Sequence, residues 1–127
     1  MRRRSFMELL VPKEELRAGD TDKLAAHFGS LVGRDLAEQP PILMRQLKAM
    51  GRHDASKRLR ELAGIPTLVV SAGEDPIALP RYGREIAALV PGARFEEIRA
   101  ASHGVTIQRP ELINPMLREF FRSTEKA

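Results

Sequence analysis

The chain of 127 residues has no cysteine, no tryptophan and one tyrosine, and aromatic residues make up only 5% of it. Without cysteine there are no disulfides and no thiolate metal sites. The three histidines have no metal-ligand spacing, so no metal is expected. Charge is nearly balanced, at a net +4. The basic residues form one tight cluster, Arg2-Arg3-Arg4, and a looser set at Arg52, Lys57, Arg58 and Arg60. A nucleic-acid binder normally shows a denser basic stripe with interleaved aromatics, so no nucleic-acid partner is expected. Apolar runs are only a few residues long, too short for a bilayer span. The start, "MRRRSFMELLVPKEELR", lacks the apolar core of a signal peptide. There is no G-x-G-x-x-G and no phosphate-binding loop, so no cofactor is implied. These absences lead to the expectation of a cytoplasmic protein without membrane partners.

Hydrophobic residues make up 43% and charged residues 30%, which suits a globular chain long enough for one core. The texture changes near Gly64. Residues 1–63 read as helical, and residues 64–127 alternate strand and helix. Within 1–63, a helix is expected over about 5–17. Asp20 or Thr21 then caps a helix to about Val32, with Leu24, Phe28, Leu31 and Val32 on one stripe and Gly33 as its stop. Pro40-Pro41 breaks the chain. Leu43, Leu47 and Met50 share a face of the next helix, which Gly51 ends. Asp54 caps a further helix with Leu59 and Leu62 inward. His27 and His53 read as surface residues.

Within 64–127, "IPTLVVSA" is continuously apolar and β-branched, as in a parallel strand covered on both faces. "GEDPIALP" is a turn. Pro80 opens a helix whose inner side is expected to hold Ile86, Ala87, Leu89 and Val90, and Pro91-Gly92 stops it. "ARFEEIRA" is a more polar strand, suited to an edge. A last helix spans most of 110–123 with Leu112, Leu117, Phe120 and Phe121 inward, and with Pro115 in its first turn or kinking it. This is a βαβ pattern with parallel strands. Asp75 follows the carboxyl end of the first strand, and His103, in "AASHGV", follows that of the second. Neighbouring strands lie about 4.8 Å apart, so the two side chains can meet at the edge where open α/β sheets bind ligands. A carboxylate on Nδ1–H fixes the imidazole tautomer and leaves Nε2 to take a proton from a nucleophile. Either residue alone also fits a plainer role, as a solvated loop histidine or a turn-forming aspartate before Pro76.

From about Pro40 onward the sequence resembles the carboxyl-terminal half of an α/β-hydrolase. "IPTLVVSAGEDPIA" resembles that family's strand and loop carrying the triad acid. "YGREIAALVPGARFEEIRAASHGV" resembles the following helix, last strand and histidine loop, and "RPELINPMLREFF" the terminal helix. The resemblance implies a truncated α/β-hydrolase fold, with residues 1–63 as a helical cap or lid and 64–127 as a βαβα portion of the core. It implies candidate catalytic residues Asp75, the acid, and His103, the base, and a small-molecule ester, lactone or similar carbonyl substrate.

The family's nucleophile sits in G-x-S-x-G on a strand-to-helix turn, and no such motif is present. "GSLVG" at Gly29–Gly33 has its serine in the wrong place. Ser71 reads as structural, and Ser102 is too close along the chain to His103 for its attack to run through the same imidazole. The oxyanion-hole segments are missing too. The chain alone is therefore expected to be inactive, with a nucleophile supplied upstream or on a second chain. The alternative is a non-catalytic binding or regulatory remnant whose helical segment meets a partner. The edge of "TLVVSA", without its family neighbour, is expected to self-associate or to pair with a completing chain. Glu74 reads as solvated, and Glu96 and Glu97 as an exposed strand face. Leu36, Ile42, Met44, Met50 and Leu79 fit either an acyl pocket or ordinary packing.

Overall fold

The computed structural model describes residues 2–32 and 41–125, with backbone only at 2–5 and 32. Gly33, Leu36, Pro40 and the side chain of Val32 lie outside the described residues. Three helices come first: α1 (Arg2–Leu10), α2 (Lys13–Ala18) and α3 (Thr21–Val32). The single helix expected over 5–17 is thus two. Pro12 has no amide to donate and pushes Val11 away from helical backbone. The last bond of α1 is Val11 N–H to Met7 O at 2.9 Å, and α2 begins after Pro12. At α3 the Asp20 carboxylate accepts the amides of Asp22 and Lys23 at 3.0 and 3.2 Å, the N-cap its position suggests.

Met7 and Val11 pack on Ala25 and Phe28 of α3, with Phe6, Leu10, Leu16 and Leu24 around them. Met7 and Val11 are essentially out of water, and each such side chain contributes about 1.5–3 kcal/mol. Leu31, expected on the same stripe, is 58% exposed, because Ala25 takes the inner position beside Phe28. Helix α4 (Leu43–Met50) buries no residue. Ile42, Met44, Leu47 and Met50 stand exposed, since no described element covers that face. Residues Ser56–Leu62 form a 3-10 stretch rather than an α-helix. Asp54 still accepts the Ser56 amide at 2.9 Å; the Ser56 hydroxyl first, and this amide second, lower the pKa of its carboxyl from the ordinary value.

Strands β1 (Leu68–Ala72) and β2 (Arg94–Ile98) pair in parallel, Leu68 opposite Arg94 and Ala72 opposite Ile98. Helix α5 (Pro80–Leu89) connects them. Its inner side is small, with Gly83 buried and Ala87 half-buried, and Val90 is buried just past its end, while Ile86 and Leu89, expected inward, are exposed. Close approach to the sheet explains the difference. A Cβ on Gly83 would overlap the Ser71 hydroxyl and stand 3.1 Å from the Phe95 ring. Glu96 and Glu97 are half-buried rather than bare, paired with Arg94 and Arg84 respectively.

After β2 come a short helix α6 (Val105–Gln108) and α7 (Pro110–Thr124). Ile113 is buried with Ala72, Ile98 and Ala101, and Val70, Val105, Met116 and Leu117 pack around this second cluster. Leu112 and Phe121, expected inward, are exposed; the buried face runs through Ile113, Met116, Leu117 and Phe120 instead. Pro115 lies inside α7, beyond its first turn. Ile107 of α6 packs on the first cluster while Val105 packs on the second. The segment carrying His103 therefore runs between the two cores.

Candidate active site

The loops after β1 and β2 are joined before any side chain is considered. The Gly73 amide donates to Ile98 O at 2.8 Å and the Glu74 amide to Ala101 O at 2.9 Å. This brings Asp75 beside His103. Asp75 is only 7% exposed, and a buried carboxylate needs every oxygen partnered. Its Oδ1 accepts the amides of Ile77 and Ala78, both at 2.8 Å. Its Oδ2 lies 2.8 Å from His103 Nδ1. An ionised carboxylate only accepts, so a bond to ionised Asp75 takes its proton from Nδ1, and in the neutral imidazole that tautomer leaves Nε2 as the acceptor. The imidazole side chain is 41% exposed and so open to a reacting group.

The backbone around His103 is held from the other side by the first helices. The Ser102 hydroxyl donates to Leu9 O at 2.9 Å, with Glu74 O also within 3.3 Å. The amides of His103 and Gly104 donate to Leu9 O and Leu10 O at 3.3 and 2.9 Å. The last carbonyls of a helix lack partners within it; those of Leu9 and Leu10 find them in the histidine loop. Gly104 has an ordinary φ of −84°, so its value here is space. Ala100 sits at φ +49°, a left-handed conformation costing a non-glycine residue roughly 1–2 kcal/mol. The Arg109 guanidinium donates to Ala100 O at 2.8 Å.

The remaining candidates fall elsewhere. Ser102 is 1% exposed with its hydroxyl directed at α1. Ser71 is buried under Gly83. Of the serines whose side chains are described, none hydrogen-bonds the His103 ring. His27, His53 and Glu74 are exposed, and Leu79 is half-buried. Among the described residues no three metal-ligating side chains come together, and no helix is long and apolar enough to cross a membrane. Gln108 and the carbonyls of Leu9 and Leu10 hold the His103 loop, contacts that no side-chain pattern announces, and Gly104 packs beside them. A glycine directly after a loop histidine was the available signal of close backbone approach.

A buried carboxylate and an open imidazole at the carboxyl ends of adjacent parallel strands, followed by a terminal helix, is an α/β-hydrolase arrangement. Comparison with known proteins agrees. The chain is 32% identical over 85 residues to a protein named a non-heme bromoperoxidase, BpoC of Mycobacterium tuberculosis, matching 67% of this chain and 32% of the relative. It is 30% identical over 95 residues to the pimeloyl acyl-carrier-protein methyl ester esterase of Neisseria meningitidis, matching 71% of this chain and 36% of the esterase. It is 27% identical over 77 residues to RutD of Klebsiella pneumoniae, named a carbamate hydrolase, matching 61% and 29%. The crystal structure of BpoC superimposes with a TM-score of 0.77 at 25% identity, covering 94% of this chain and 43% of that one. No family model matches. The chain belongs with the α/β-hydrolases and holds a portion of their fold. It spans about a third of the length of the curated relatives it matches.

Proposed function

We propose that this chain is the acid–base half of a Ser-His-Asp hydrolase acting on a small-molecule ester or a similar carbonyl compound. One observation carries the reading: the Asp75 carboxylate on His103 Nδ1 at 2.8 Å, with Nε2 left free. Two of the relatives are named for an ester and a carbamate, both substrates with an acyl carbon open to attack. In the reaction, a serine hydroxyl gives its proton to Nε2 as its oxygen attacks the carbonyl. The imidazolium so formed stays hydrogen-bonded to Asp75, and it returns the proton to the leaving group. Asp75 holds ring and tautomer, fixed in turn by the Ile77 and Ala78 amides. The serine comes from a G-x-S-x-G turn on a completing segment, and the chain by itself is inactive. The setting is cytoplasmic. The free edge of β1 is the place for the completing strand or for a second copy.

An activated-ester assay tests this. The purified chain is expected to show no turnover above His103→Ala. Mixed with a segment of a relative that carries the serine turn, it is expected to gain turnover that His103→Ala abolishes. Turnover by the chain alone that survives in His103→Ala sinks the proposal. A second reading, a non-catalytic binding or regulatory module, is favoured by the uncovered apolar face of α4 at Ile42, Met44, Leu47 and Met50. Tight binding to such a segment without any turnover would select it.

A further inference from the structure

Between α2 and the histidine loop runs a polar chain that the acid–base pair does not itself need. The Gln108 side chain faces both ways. Its Oε1 accepts the backbone amide of Ser102 at 3.0 Å, and its Nε2 donates to Glu15 Oε2 at 3.1 Å. The same Glu15 oxygen takes the Arg109 guanidinium at 3.4 Å, and that guanidinium reaches Ala100 O at 2.8 Å. Glu15, on α2, thus anchors two side chains that grip the loop at Ala100 and at Ser102, on the amino-terminal side of His103. Gln108 and Arg109 are half-buried, and the Glu15 side chain is 38% exposed, so water screens these bonds only in part.

The geometry points to Glu15 and Gln108 as positioning residues for His103, acting through the Ser102 amide. The inference rests on the reading of His103 as the base. The bond to Asp75 fixes one ring nitrogen, but a ring also needs its Cα placed, and the Cα follows the peptide between Ser102 and His103. That peptide carries no regular secondary structure. Its two neighbouring amides point to different elements, Ser102 N–H to Gln108 Oε1 and His103 N–H to Leu9 O. A side-chain amide can rotate, so Gln108 holds its acceptor toward Ser102 only while its NH₂ end is occupied. Glu15 occupies it. The charge on Glu15 makes that bond the stronger kind, and Arg109 keeps the carboxylate from turning to solvent. Catalytic placement tolerates little drift, with errors near 1 Å already costly. A fixed backbone amide beside the base is therefore a functional contact and not only a packing one. Residues 93 apart in sequence are tied for this purpose, which brings α2 into the site although it touches no reacting atom.

The test reads the imidazole directly. In the full chain labelled at histidine nitrogen, a hydrogen-bonded Nδ1–H of His103 gives a downfield proton resonance, and exposed His27 and His53 serve as internal references. Asp75→Ala sets the baseline without the bond. Gln108→Ala and Glu15→Ala are expected to lose or broaden that resonance well below their melting temperatures, whereas Glu15→Gln, which still accepts from Gln108, retains it. Melting curves of each variant accompany the spectra, since a role in stability alone would lower the midpoint and leave the folded-state resonance in place. A resonance unchanged in Gln108→Ala overturns this inference and leaves the acid–base reading standing. A wild-type chain without the resonance overturns both, because Asp75 and His103 then do not meet in solution.

Discussion

Gly104 lies against the ring of Phe28. A methyl group added at the glycine would stand 2.7 Å from the ring's Cε1 and 2.7 Å from the Leu10 carbonyl oxygen. The histidine loop is thereby seated on α1 and α3 at a distance only glycine allows. The glycine in "SHGV" is there for a steric reason and not a conformational one, since φ here is −84°.

Gly104→Ala is accordingly expected to destabilise the chain by about 1–3 kcal/mol, the usual cost of forcing extra volume into a packed site. The damage should be local at first. The bonds from His103 and Gly104 to Leu9 and Leu10 are the ones stretched, so amide exchange at residues 102–104 should accelerate more than exchange in β1. Urea unfolding and hydrogen exchange measure the two quantities. A variant as stable as the parent, with these amides equally protected, would show that the seating is loose.

A second glycine makes a different prediction. In a helix, alanine is normally favoured over glycine by about 1 kcal/mol, but a Cβ at Gly83 would overlap the Ser71 hydroxyl and approach Phe95. Gly83→Ala is expected to destabilise. Adding Ser71→Ala removes the obstructing oxygen, so the double variant should recover much of the loss, with a coupling of about 0.5–3 kcal/mol between contacting sites. Additive losses would mean that the helix–sheet contact relaxes in some other way. The cycle is read from denaturant midpoints of the four proteins.

These glycines mark where the sequence was readable and where it was not. The parallel pair β1–β2, its crossing helix and the convergence of Asp75 on His103 follow from local signals: an apolar run, Pro80 and the position of each residue after a strand. Which side of each helix is buried follows less well. Ile86, Leu89, Leu112 and Phe121 share the periodicity of inward residues yet lie exposed; α5 approaches the sheet through Gly83 and α3 packs through Ala25, where periodicity of large residues is silent, and α7 turns Ile113 inward instead. The apolar face of α4 is covered by no described element. Least legible is the grip of α1 and α2 on the histidine loop. Leu9 and Leu10 act through carbonyl oxygens, which no side-chain pattern reports, and Glu15 meets Gln108 across 93 positions.

Asp75→Asn separates the two jobs of the carboxylate. The Asn Oδ1 can still accept from the Ile77 and Ala78 amides, so the loop should hold and stability should change little. Its Nδ2 is a donor, however, and faces a ring nitrogen. The imidazole is then expected to place its proton on Nε2 and accept at Nδ1, the tautomer that cannot take a proton from a nucleophile. Histidine nitrogen spectra distinguish the two forms directly. In a completed enzyme the same change should cost several orders of magnitude in turnover. Retention of the Nδ1–H form in Asp75→Asn would mean that something other than the carboxylate sets the tautomer.

The free edge of β1 yields the last expectation. The Arg94 amide donates to Thr67 O at 2.9 Å and the Gly73 amide to Ile98 O at 2.8 Å. In a parallel ladder every second residue faces a given neighbour, so Thr67, Val69, Ser71 and Gly73 turn their backbone groups to β2. Leu68, Val70 and Ala72 turn theirs the other way, where no strand pairs with them among the described residues. The Ala72 carbonyl is occupied by the Asp75 amide at 3.2 Å. Unlike β2, with Arg94, Glu96 and Glu97, this strand has no charged residue to repel a neighbour. The chain should therefore elute from size-exclusion columns as more than one copy, increasingly so with concentration. Leu68→Pro removes an amide from the free edge, at the start of the strand where proline is tolerated, and spares the ladder to β2. It should shift the chain toward a monomer while leaving the circular dichroism of the helices unchanged. A parent chain that stays monomeric by light scattering over the whole concentration series would show that the edge is protected by means other than pairing.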